Sequence, residues 1–179
     1  MAEVPNSPFT NTPRLTGQVV RPAQATQYTI GDIIANSQTA ASVTPMIFTL
    51  PRPNGRIYGA RFTITPTSGN LVITACKLDL LLFRAEIGIP FAPAGYPKDN
   101  DPFTITAAMY RELVAIITTD AAAWRNPLGG LTASTTGWQA KKLASDRIMA
   151  PFNASSVSAN LIGVLIAADV WNPGNVIQT

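Results

Sequence analysis

The chain has 179 residues, a length that makes one domain the default and lets a core form without disulfides or metal. Charged residues make up only 13% against 46% hydrophobic, about half the usual charged share of roughly 25%, so Thr, Ser, Asn, Gln and Ala must fill much of the surface, as suits a protein that packs against neighbours. A net charge of +3 is too weak to point to nucleic acid, and the absence of histidine removes Ser–His and Cys–His nucleophile pairs, the commonest metal ligand and the usual proton shuttle.

Residues 1–15 are rich in Pro, Asn, Thr and Ser. Pro5, Pro8 and Pro13 oppose helix and favour an extended backbone, so this segment is predicted to be an arm. Val4, Phe9 and Leu15 are its large apolar groups, spaced as anchors would be along an extended strand laid over another protein. The charge excess also lies early. Through Arg61 the bases are Arg14, Arg21, Arg52, Arg56 and Arg61, and the acids are Glu3 and Asp32. That distribution fits either a solvated face or an end that meets an acidic partner.

Residues 16–179 are predicted to form one β domain. "TGQVV" (16–20) has strand character and leads into "ATQYTIGDIIANS" (25–37), where Gly31-Asp32 marks a bulge or bend. "TPMIFTL" (44–50) is a strand that ends at the turn "PRPNG" (51–55). "RIYGARFTIT" (56–65) alternates, with Tyr58, Ala60, Phe62 and Ile64 on one side and Arg61, Thr63 and Thr65 on the other, which predicts a half-buried strand. In "ACKLDLLLFRAEIG" from Ala75, a strand places Cys76, Leu78, Leu80 and Leu82 on one face and separates them from Lys77 and Asp79. A helix would scatter the same charges. The second half of the run is apolar on both faces, as in a central strand with something covering its outer side. Residues 88–103 read as a long loop, and Ala107–Glu112 as one or two helical turns capped by Thr106. Strands are predicted at 113–118, at 138–152 as an edge shielded by Lys141, Lys142 and Arg147, and from Asn160 before a Pro-Gly exit. Eight or so short strands with at most one or two short helices give an all-β fold, a jelly-roll-like β-sandwich with an extended N-terminal arm.

Little here carries chemistry. Cys76 is alone and is expected to be inert packing. Asp99, Asn100 and Asp101 cluster oxygen donors, but without the bend glycine or distal acid of a calcium loop; an Asx-type turn fits better. Asp79 and Glu86 would serve a paired-carboxylate hydrolase only if the fold held them across a cleft. Asn153 opens an N-glycosylation pattern without a secretion signal, and Trp124, Trp138 and Trp171 suit a sugar platform or, better, core and interface packing. No signal peptide and no run of about 18 apolar residues is visible, which predicts a soluble protein made in a cytoplasm, with no membrane partner.

Four motifs in order carry a resemblance. "TQYTIGDIIANS" resembles the Tyr-x-x-Gly-Asp-φ-φ opening of small proteins encoded near the major capsid protein of tailed bacteriophages. "RIYGARFTI" with "CKLDLLLFRAEIGIP" is similar to their paired strands. "KDNDPFTITAAMYRELVAII" resembles their Asp-Asn-x-x-Phe segment, and "NLIGVLIAADVWNPG" their terminal strand. These are head decoration, or cement, proteins, and the resemblance covers roughly residues 25–118 and 138–173; residues 1–15 and 119–137 match nothing general in the family. It implies a non-enzymatic protein on the virion surface that bridges major capsid protein subunits, a homo-oligomer (trimer or dimer), with no cofactor and no direct nucleic-acid contact. On that reading Val4, Phe9 and Leu15 anchor the arm while Arg14 and Arg21 pair with acidic capsid groups. A tail or neck structural protein and a carbohydrate-binding jelly roll remain alternatives from other classes.

Overall fold

The computed structural model describes residues 14–23, 26–57, 59–64, 77–84, 97–120, 123–124, 138–142, 150–153 and 160–172. It is an all-β structure with one short α-helix among these residues. Its strands are β1 (Ile33–Ile34), β2 (Met46–Thr49), β3 (Asn54–Ile57), β4 (Ala60–Ile64), β5 (Leu78–Arg84), β6 (Leu113–Thr119), β7 (Trp138–Lys142), β8 (Ala150–Asn153) and β9 (Asn160–Ala167), with α1 at Ala107–Glu112.

The centre is a five-stranded antiparallel sheet. Strand β9 lies between β5 on one side and both β1 and β2 on the other, and β6 follows β5. The last strand is therefore the hub, with Gly163 opposite both Met46 and Leu82. The predicted leucine face of β5 holds. Leu78, Leu80 and Leu82 share one face, and Leu81 and Phe83 point the other way; all five are buried. A strand buried on both faces needs a cover on each. The inner cover comes from β3 and β4, whose Ile57, Ala60, Phe62 and Ile64 pack with Leu78, Leu80, Leu82, Ile117 and Leu161. The outer cover is the segment Phe103–Leu113, where Met109 of α1, Phe103 and Ile105 close over Leu81, Phe83 and Val164. Thr106 caps α1 as its sequence predicts, its side chain accepting from the Met109 N–H at 3.2 Å.

Three strand predictions need correction. Residues 14–20, which include "TGQVV" (16–20), form no strand. "RIYGARFTIT" is two strands: β3 pairs with β8, and β4 pairs with β7. Likewise 138–152 holds two strands with different partners, not one edge. Alternation survives in β4, where Ala60, Phe62 and Ile64 are more buried than Arg61 and Thr63. Side-chain alternation reports which face is covered, not which strand lies alongside, so it cannot reveal a partner exchange.

Candidate interaction surface

The sequence-predicted contact residues divide three ways. Val4 and Phe9 lie outside the described residues. Arg14 is exposed, and Leu15 is 37% exposed with its side chain open to solvent. Arg21 is corrected: it is 1% exposed, so it is a core residue in this structure and not a surface partner for capsid acids. Its guanidinium carbon sits 5.8 Å from the centroid of the Tyr28 ring, where the negative face of the ring favours a cation.

Arg21 belongs to a polar cluster built from four chain segments. Tyr28 donates its hydroxyl to the Asp99 carboxylate, 2.8 Å from each oxygen, and the Ala35 N–H donates to Asp99 Oδ1 at 2.8 Å. The Tyr28 ring stacks on Trp171, with centroids 5.4 Å apart, and the two residues exchange backbone hydrogen bonds. The Asp99–Asp101 turn is laced to β1 and its flanks, with Ser37 and Ile33 carbonyls accepting from the Asp99 and Asn100 N–H groups. Asn100 takes the left-handed backbone (φ 68°) that asparagine tolerates. Gly31 does the same at φ 92°, where a Cβ would be strained, and its carbonyl accepts from Phe103 N. Asp32 turns inward on its own loop, accepting from Thr29 N at 2.6 Å and Thr29 Oγ1 at 2.9 Å.

This geometry assigns "KDNDP" to a turn. Asp99 aims into the core while Asp101 faces Lys98 at 3.9 Å, so the oxygens diverge. Among the described residues no three metal-ligating side chains converge. Asp79 is half-buried on the outer face of β5, and Glu86 and Cys76 lie outside the described residues. Trp124 and Trp171 are each 2% exposed, which spends two of the three tryptophans on the core.

Burial pushes the Asp99 carboxyl above the usual aspartate range, against the opposing pull of the Ala35 N–H, the Tyr28 hydroxyl and the Arg21 charge. The folded chain therefore holds this proton more tightly than the unfolded chain does. Stability from this group is full below the ordinary value of about 3.9 and is lost as pH rises to the raised folded value. In Asp99→Asn nothing titrates at this position. The wild type should thus gain melting temperature relative to Asp99→Asn as pH falls through that window. Parallel melting curves from pH 7 to 4 would show that burial does not govern this carboxyl.

What remains for a partner is the outside. Exposed Leu15 and Val20 lie on the leading segment, Ile47 and Ile116 on the edge strands β2 and β6, and Tyr110 on α1. On the β4–β7 ladder exposed Arg61 stands opposite Lys141 in register. The sequence had flagged the basic first third, but no local signal separates buried Arg21 from surface Arg14. No family model matches the chain, and neither a curated protein nor a solved structure is significantly similar to it.

Proposed function

We propose that this chain is a structural virion protein, a capsid decoration protein that binds the outside of a tailed-phage head and bridges neighbouring major capsid protein subunits. The observation that supports this reading is the meeting of the resemblance motifs in space. Tyr28, Gly31 and Asp32 of the first motif, Asp99, Asn100 and Phe103 of the third and Trp171 of the last join through hydrogen bonds and ring stacking into one frame. The side-chain hydrogen bonds of Tyr28, Asp32 and Asp99 hold loops in place, which supports a role in presenting a surface. The sheet order, with the last strand between early strands and β5, supports reading the all-β fold as jelly-roll-like.

The mechanism is adhesion. Packed DNA strains a shell, and a protein seated across subunit boundaries adds its own buried contact to the cost of separating them. A specific contact of about 1,200–2,000 Å² is sufficient, and a homo-oligomer engages several subunits at once. The arm, with Val4, Phe9, Arg14 and Leu15, extends that contact at the cost of its ordering entropy. Quantitative mass spectrometry of purified virions tests the reading: hundreds of copies per particle are expected. A handful of copies would favour a tail or neck protein, and none would overturn a virion role. Deleting residues 2–15 is expected to lower capsid occupancy at least tenfold at sub-saturating protein; unchanged occupancy removes the arm from the mechanism. The carbohydrate-binding alternative is disfavoured by the burial of Trp124 and Trp171.

A further inference from the structure

The fold sorts its charges by layer. Gly17 lies on the inner face of β2, where a Cβ would come within 2.5 Å of Met46 and 2.7 Å of the Phe48 ring. Val19 packs on the same inner core as Ile57, Ala60 and Phe62. Residues 14–20 therefore share a layer with β3 and β4 and with their partners β8 and β7. These segments, with the turn before β3, hold Arg14, Arg52, Arg56, Arg61, Lys141 and Lys142 and no acid. Among the described residues all seven acids lie elsewhere, on the central sheet, its outer cover and their turns, together with five bases.

The chain path turns this layer into a basic face. Arg56 and Arg61 are five positions apart and would point to opposite sides of one continuous strand. The change of partner between β3 and β4 instead leaves Ile57 and Ala60 both inward, so that both arginines turn outward and are exposed. Arg52 is exposed as well. The ion pairs among the described residues, Arg84–Glu112 and Lys98–Asp101, involve none of the three. A guanidinium held in water in this way keeps its fork of donors for a carboxylate arriving from outside.

We propose that the solvent face of β3, β4, β7 and β8 docks on a carboxylate-rich protein surface, with Arg52, Arg56 and Arg61 as the contacts that steer and orient it. Charge complementarity carries the choice of partner: a layer with bases and no acid meets a surface of the opposite sign. A nucleic acid fits less well, because phosphates running past the layer would meet the acid-bearing sheet, whereas a protein surface need match the layer alone. Naming that partner as the major capsid protein rests on the capsid reading; the face and its chemistry do not.

Two charge-matched variants provide the test, Arg56→Gln/Arg61→Gln on the face and Lys98→Gln/Arg111→Gln away from it. All four residues are exposed, so both variants should melt as the wild type does. On heads purified without this protein, the face variant is expected to bind about tenfold more weakly than wild type and the other variant within about twofold. The gap should shrink as salt is raised. Equal binding by the two variants overturns the face and leaves the capsid reading standing. Failure of the wild type to bind heads overturns the capsid reading, and retention on immobilised poly-L-glutamate then decides the face. Earlier elution of the face variant than of the other supports it, and co-elution sinks it. Tighter binding of the wild type to duplex DNA than to poly-L-glutamate would overturn the choice of a protein partner.

Discussion

Asp99→Ala is expected to destabilise the protein by about 2–5 kcal/mol, the cost of leaving two buried donors without an acceptor. Truncation removes the acceptor for the Tyr28 hydroxyl and for the Ala35 N–H, both buried. The damage also spreads through the backbone, because the same turn carries the Asp99–Ser37 and Asn100–Ile33 hydrogen bonds that lace it to β1. For a chain of this length the loss corresponds to a melting temperature lower by roughly 10 °C. Asp99→Asn should lose much less, since an amide keeps one acceptor oxygen and the shape of the site. Equal melting temperatures for Asp99→Ala and wild type would mean that the cluster is held by the surrounding packing and not by the carboxylate.

Phe83→Ala is expected to cost about 3–5 kcal/mol, the range for deleting a fully buried aromatic side chain. Phe83 is 0% exposed on the outer face of β5, with Phe103 tilted against it at 6.5 Å between ring centroids and Met109 in the same cluster. The cover over that face is short: one six-residue helix and its flanks. Such a cover gains its place from what it packs on, because a helix of this length is not stable alone. The loss should therefore appear twice, as a drop in denaturation midpoint and as faster amide exchange in Ala107–Glu112. Exchange in α1 that stays at the wild-type rate would show that the helix is positioned by something other than the Phe83 face.

Local patterns anticipated a good part of this. The β5 reading came from period two: Leu78, Leu80 and Leu82 on one side, charges kept to the other, and an apolar second half that demanded a second cover. Thr106 announced its cap because an N-cap bond closes within three residues. Gly31 announced a bend because only a residue without Cβ is comfortable at positive φ. Each of these is decided by the residue and its immediate neighbours.

The basic first third was legible as charge but not as geometry. Arg14 and Arg21 look alike in the chain, yet one is exposed and the other is buried beside the Tyr28 ring. The partner exchange between β3–β8 and β4–β7 was invisible for the same reason, since hydrogen-bonded partners between 74 and 99 residues apart leave no mark in either segment.

By itself, then, the amino-acid order determined an all-β chain, the buried faces of β4 and β5, the helix after Phe103 and a surface poor in charge. Periodicity, capping and turn preference act over a few residues, so they are written locally. Only the tertiary structure decided that β9 is the hub, that Phe103–Leu113 covers the outer face, and that Arg21 is a core residue beside Tyr28. Those outcomes depend on which distant segments exclude water together, and burial of that kind is a property of the assembled chain.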